Sequence, residues 1–270
     1  MSSEANSNSR QKPDNRWIPL ESNPEVFNAW AKKAGLATKV TCFHDIYGVD
    51  PELLGLVPQP VNAVILLFPI TPEIQAQHEA EDEALATEGQ PEVDKTIMWM
   101  KQTIGNACGT MALLHALANT NVTITPESAL AQFIEQCKDK TPLERAHLLE
   151  TTSLFANIHA EMAGGGQSSI PTNLDTNLHF ICYVAAPSRA TTQTASSGAN
   201  STESGKQVDL SEATFGQRLV ELDGRRRGPI DRGECRNLLC DAAEHVKSTY
   251  FSKSDAILFS LMALAPPQQD

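Results

Sequence analysis

The sequence predicts a mixed α/β fold, of the α+β or layered α/β kind, on two observations. Helix starts are written as a capping residue, a proline and an acid: Asn23-Pro24-Glu25, Thr71-Pro72-Glu73, Thr125-Pro126-Glu127 and Thr141-Pro142-Leu143-Glu144. In such a start a side-chain oxygen caps a free amide, proline presets the first helical φ, and the acid meets the positive end of the helix dipole. Between them stand short apolar, β-rich runs, Val61 to Phe68 and Leu178 to Val184, which read as buried strands and follow no regular βαβ repeat.

In chain order, MSSEANSNSR lacks an apolar core, so residues 1–15 are expected to be a disordered tail rather than a signal or anchor, with one domain over 16–266. Trp17 to Leu20 is apolar and extended, and must dock on the core or on a partner. A helix follows over 24–34, closed by Gly35, then a strand within Val40 to Tyr47 and a short helical turn at Asp50 to Leu54. After the strand Val61 to Phe68, Thr71 opens an acidic helix, and residues 81–94 read as a mobile surface segment. A helix carrying Leu113, Leu114 and Leu117 on one stripe comes next, then two helices from the remaining Thr-Pro starts. From Thr151 to Asn177 the chain is polar and Gly-rich, a long loop of the functional or disordered kind. Beyond the strand Leu178 to Val184 lies a Ser/Thr/Ala tract, 185–213, too poor in large apolar residues to repay its ordering entropy. A strand at Gln217 to Asp223, a turn at Gly224 with the basic triplet Arg225 to Arg227, a helix over 236–248 and a strand from Ala256 to Leu264 close the chain.

A chain of 270 residues, 41% hydrophobic and 20% charged, can bury a full core. Its longest apolar run stops at Pro69, far short of a membrane span. The six cysteines, without a secretory segment, read as reduced thiols of a cytoplasmic or also nuclear protein. None has zinc-ligand spacing, so neither metal nor cofactor is expected. A net charge of −12 argues against nucleic acid and anionic membranes. It fits a basic partner, or confers solubility alone. Monomer is the default.

The chemistry concentrates in KQTIGNACGTMALLHALAN, from Lys101 to Asn119. Cys108 stands at the mouth of a helix, where unpaired amides and the helix dipole favour thiolate over thiol. Gln102, on a returning loop, can bring its NH2 beside the Cys108 amide to stabilise an oxyanion. The alternative is a small buried hydrophobe at a helix start.

A cysteine nucleophile needs an imidazole and a group to orient it. Of the seven histidines, His44, His78, His147, His159 and His245 sit in polar, surface-like contexts. His115 shares the Cys108 helix face but lies ~10 Å along the axis, beyond reach. His179 enters a strongly apolar strand, where a polar ring requires a partner, as base or as a satisfied core histidine. If strands 178–184 and 217–222 pair antiparallel, Asp223 falls beside it; alone, an Asp before Gly is a plain turn residue.

These residues resemble the ubiquitin C-terminal hydrolase family of cysteine proteases, in its short single-domain form. QTIGNACGT, LHF and ELDGR occur in that family's order, and RWIPLESNPEVF, YGVDPELLGLVPQPVNAVILLFPIT and TPLERAHLLE add to the likeness from about 16 to 264. The resemblance implies a papain-like fold, a central antiparallel sheet flanked by helices, with a knotted backbone and a crossover loop near 150–172 that limits the leaving group to small adducts or unfolded peptides. It implies Cys108 as nucleophile, His179 as general base and then acid, Asp223 as its orienter and Gln102 as oxyanion donor. Ubiquitin is the implied partner, its arginine-bearing tail meeting Glu21, Glu25 and Asp45, and its surface meeting Trp17, Pro19 and Leu20. A ubiquitin-binding module with little catalysis, or a hydrolase of a ubiquitin-like protein such as Nedd8, is the alternative. The family joins its His and Asp strands by a short hairpin, whereas 44 positions separate them here.

Overall fold

The computed structural model describes residues 16–167, 174–188, 216–253 and 258–268. The tail expected at 1–15 and nearly all of the 185–213 tract lie outside the described residues.

The centre is a six-stranded, antiparallel sheet. Its strands are β1 (Cys42–Ile46), β2 (Ala63–Pro69), β3 (Leu178–Pro187), β4 (Gln217–Leu222), β5 (Ile230–Cys235) and β6 (Ser260–Ala265), in the order β1-β6-β2-β3-β4-β5. Because side chains alternate across a strand, β2 and β3 feed two cores. Ile65, Phe180, Cys182 and Val184 face one layer of helices: α1 (Pro24–Ala34), α4 (Cys108–Ala118), α5 (Ala129–Cys137) and α7 (Ser153–Gly164). Val64, Leu66, Phe68, Ile181 and Tyr183 face α8 (Leu238–Thr249) and Ile74 at the start of α3 (Pro72–Glu88). The other α-helices among the described residues are α2 (Pro51–Leu54) and α6 (Pro142–Thr151). No described helix is long and apolar enough to cross a membrane.

The helix starts behave as their sequences imply at α1, α3 and α6. Asn23 caps the Glu25 amide and Thr71 that of Ile74, while Thr141 and Glu144 form a reciprocal capping box. At Thr125-Pro126-Glu127 the helix begins later, from a Ser128 cap, because Glu127 adopts a left-handed φ of 60°.

Three expectations are corrected. Residues 81–94 are not a loose segment throughout: α3 runs to Glu88, and Glu81 and Asp82 are gripped by Arg226 and Arg232. The crossover span 150–172 is not all loop, since α7 occupies Ser153–Gly164. Phe155, Ile158 and His159 form its buried stripe, and Phe155 stacks on Trp30 of α1 at 5.7 Å. Finally, β3 continues through residues 185–187, so the tract starts later than its composition implied. The β3–β4 register pairs Cys182 with Leu222 and Pro187 with Gln217, which sets His179 and Asp223 at one end of the hairpin and the tract at the other.

Candidate active site

The N-terminus of α4 delivers Cys108. Ala107 precedes it without a side-chain cap, so the first amides of the helix stay free around the sulfur. The approach is fixed by Asn106, whose left-handed backbone turns the chain and whose side-chain NH2 donates to the carbonyls of Trp17 (3.0 Å) and Leu174 (2.9 Å). Helix α4 is buried from Cys108 to Leu117, so it cannot slide against the sheet.

His159 braces the same turn, and its placement corrects the surface reading. Its Nε2 lies 2.6 Å from the Ile18 carbonyl, which only accepts, so Nε2 carries the proton and Nδ1 accepts from the Thr110 hydroxyl at 2.8 Å. Burial lowers its pKa to about 4, keeping the ring neutral. His115 is likewise a core group: its Nε2 accepts from the Met100 amide at 3.1 Å, and burial lowers its pKa to about 4.

At the sheet end, His179 Nε2 lies 2.7 Å from Asp223 Oδ1, with the residues 3% and 2% exposed. The Arg225 amide donates to the same carboxylate oxygen at 2.7 Å, and the Trp99 indole to the Asp223 carbonyl at 3.0 Å. With Nε2 committed to Asp223, Nδ1 is the ring nitrogen that hydrogen-bonds Cys108. Burial opposes the imidazolium, but the charge and hydrogen bond of Asp223, then those of Cys108, outweigh it and raise His179 to about 10. Burial opposes the thiolate too, yet the hydrogen bond and charge of His179 and the amides of Phe180 and Gly109 bring Cys108 below the ordinary thiol range. Asp223 is held below the usual carboxylate range, the His179 charge outweighing burial. All three shifts favour a thiolate–imidazolium pair backed by a carboxylate, a set able to attack a carbonyl and then protonate a leaving group.

Gln102 lines the same groove of about 310 Å³ as Cys108 and His179. Its amide donates to the Gly224 carbonyl at 2.8 Å, and its side-chain NH2 to the Ile104 carbonyl at 3.1 Å, which leaves the second N–H of that group for a ligand. Gly224 has to be glycine: a Cβ there would stand 2.9 Å from Gln102 Cβ and 3.1 Å from its backbone nitrogen. Gly224, the residue after Asp223, and Gln102, far away in sequence, are thus packed backbone to backbone.

Of the residues assigned to partner contact, Glu21, Glu25 and Asp45 come together along a separate groove of about 640 Å³, with exposed Tyr47 at its edge. Burial raises the Asp45 pKa, only partly offset by His44. Trp17 and Pro19 are half-buried, and Trp17 packs on His159 with ring centroids 4.4 Å apart. Leu20 takes the core alternative of its apolar segment: it is 5% exposed and lies against Gly109, where a Cβ would meet its Cδ1 at 3.0 Å.

Sequence reasoning missed the charged layer behind Asp223. Glu221 is fully buried on β4, bonded by Arg232 Nε at 2.9 Å and Tyr183 Oη at 3.2 Å, with Arg226 Nη1 at 3.7 Å. Arg226 in turn holds Glu81 (2.7 Å) and Asp82 (2.8 Å), while its backbone amide closes the turn onto the Asp223 carbonyl. The available signal was Glu221 itself, an acid in an apolar strand two positions before Asp223.

Residues 17–251 match the family model described as ubiquitin carboxyl-terminal hydrolase, family 1. Ubiquitin carboxyl-terminal hydrolase 3 of Arabidopsis thaliana is 33% identical over 261 residues, covering 95% of this chain and 97% of that protein. A ubiquitin carboxyl-terminal hydrolase of Aplysia californica is 36% identical over 239 residues, covering 87% and 94%. The crystal structure of the Trichinella spiralis UCH37 catalytic domain bound to ubiquitin vinyl methyl ester shares the fold, with a TM-score of 0.63 at 21% identity over 93% of this chain and 95% of that one. With a family model spanning nearly the whole domain and relatives matched over almost their full length, this chain belongs to the ubiquitin carboxyl-terminal hydrolase family, the thiol-dependent deubiquitinating hydrolases.

Proposed function

We propose that this chain hydrolyses the bond joining the C-terminal glycine of ubiquitin to small adducts or unfolded peptides, with Cys108 as nucleophile. The observation that carries this reading is the continuous chain Cys108, His179, Asp223, whose last link is 2.7 Å. Cys108 thiolate attacks the glycine carbonyl carbon, and the oxyanion is met by the Cys108 amide and the Gln102 NH2. The C–N or C–S bond breaks as His179 Nδ1 gives its proton to the departing group. The neutral imidazole then takes a proton from water, hydroxide adds to the thioester, and the thiol leaves with that proton. Asp223 holds the ring by Nε2 throughout.

Two further features support the substrate. The Trichinella spiralis protein of like fold was crystallised with a ubiquitin derivative on it, and Glu21, Glu25 and Asp45 offer carboxylates to a basic tail. Leu174 is tied to Asn106, so the described chain that leads into β3 passes beside the nucleophile.

The test is labelling by ubiquitin bearing a C-terminal electrophile. A covalent adduct is expected, absent in Cys108→Ala and strongly slowed in His179→Ala. Binding of ubiquitin without an adduct would overturn the catalytic reading in favour of a binding module, and faster labelling by the Nedd8 derivative would reassign the substrate.

A further inference from the structure

Beyond His179 the Cys108 groove runs into a second groove of about 460 Å³. The two share Ile70, His179 and Arg225, whereas the carboxylate groove beside α1 shares no lining residue with either. The N-terminal segment carrying Leu20 and Glu21 reaches the nucleophile from the Gly109 side, and the second groove opens past the base that protonates the leaving group. On the hydrolase reading, the acyl part and the departing part therefore occupy different grooves, and this one receives the departing part.

Its charges are not evenly satisfied. Asp82 is engaged by Arg226, Glu79 accepts from Gln75 at 2.6 Å, and Glu83 faces Arg227 at 3.5 Å. Two of its cations, Lys101 and Arg225, have no carboxylate partner among the described residues. Lys101 Nζ is held by the carbonyls of Arg225 and Arg226, each at 2.8 Å, which orients it without neutralising it. Arg225 is exposed and makes no ion pair among the described residues, yet its own amide is fixed on Asp223. Its guanidinium is thus carried by a rigid turn at the junction of the two grooves, with its hydrogen-bonding fork free.

We propose that Arg225 forms a leaving-group subsite for small amines and thiols that carry a carboxylate close to the scissile atom, the simplest being a single amino acid. When the bond to the ubiquitin glycine breaks, nitrogen or sulfur takes the His179 proton, and the adjacent carboxylate lies against the guanidinium fork. A planar fork matches a carboxylate in two parallel hydrogen bonds. Lys101 adds positive potential behind it. Farther along, Arg226 and Arg227 already face Asp82 and Glu83, so the subsite reads a charge held next to the reacting atom.

The experiment compares ubiquitin extended at its C-terminal glycine by alanine with a free carboxylate and by alaninamide, in the full chain and in Arg225→Gln. The quantity read is the ratio of the two kcat/KM values in wild type divided by that ratio in the variant, which cancels the different basicity of the two amines. A quotient of about fivefold in favour of the carboxylate is expected at low salt, the most that an exposed ion pair supplies, and it should shrink as salt is raised. Arg227→Gln should leave the preference in place. A quotient of one, or the same preference in Arg225→Gln, overturns the subsite while leaving the hydrolase reading standing. Hydrolysis of neither substrate, with no labelling by the electrophile, overturns the hydrolase reading itself.

Discussion

Pro187 pairs with Gln217 at the end of the β3–β4 hairpin remote from His179 and Asp223. From His179 to Pro187 the extended strand covers about 26 Å, so the long tract leaves the sheet at the end opposite the reacting groups. A 44-position separation between base and orienter is therefore compatible with their 2.7 Å contact, because the register, not the connection, brings them together.

Replacing residues 189–215 by a two-residue Asn-Gly turn should leave kcat/KM on a ubiquitin C-terminal substrate within about twofold, the register being fixed by side-chain burial along both strands. Stability should rise modestly, since each halving of a flexible loop gains only about 0.6 kcal/mol. A tenfold loss of activity with an unchanged Tm would show that the tract acts at the site.

Asp223→Asn keeps the shape of the orienter and removes its charge. The amide can no longer favour the imidazolium, so kcat should fall by about 10²- to 10⁴-fold, as in other triads that lose the acid. Wild-type activity should rise as pH climbs through the depressed Cys108 value and decline as it passes about 10, where His179 loses its proton. In the variant the alkaline limb should move to lower pH. A pH–rate profile with both limbs unmoved would contradict the coupling.

The same shifts enter folding stability with opposite signs. His179 holds its proton more tightly folded than unfolded, so its stabilisation is complete below 6.5 and disappears as pH rises through about 10. Asp223 is the reverse: its contribution is present above the ordinary carboxylate value of 3.8 and disappears as pH falls through its lowered value. Urea midpoints measured across pH should show the alkaline loss in wild type and a smaller one in His179→Gln.

Arg226→Met removes the buried cation that faces Glu81, Asp82 and Glu221. Leaving Asp82 without its cation, and Glu81 and Glu221 with Arg232 alone, should cost about 3–5 kcal/mol, read as a lowered urea midpoint. The loss should be largely restored when Glu81→Gln and Asp82→Asn are added, because fewer unpaired charges then remain.

Glu21→Gln combined with Asp45→Asn should raise KM for ubiquitin substrates severalfold, each solvent-accessible pairing being worth up to about 1 kcal/mol, while kcat is unchanged. An effect on kcat alone would place these groups in the chemistry instead of in binding.

What the sequence by itself determined was local. A cysteine ahead of a helix-forming run, a capping box at Thr141 and Glu144, and uninterrupted apolar strands at β2 and β3 each depend on neighbours a few positions away, and each is found in the structure. His179 and Asp223 were legible because strand periodicity and a glycine turn constrain where a hairpin can place its ends. Tertiary structure decided the rest. Helix α7 was hidden in a Gly-rich stretch because its stripe of Phe155, Ile158 and His159 is stabilised by α1 and by the N-terminal segment, not by its own sequence. Edge strand β5 carries polar residues whose reason, such as Asp231 gripping Arg218 at 2.7 Å, lies on another strand. The burial of Leu20, the neutral His159 and the Arg226 clamp all depend on partners far away in the chain. A side chain announces its helix or strand through its neighbours, but whether it is solvated or enclosed depends on which distant surface closes over it.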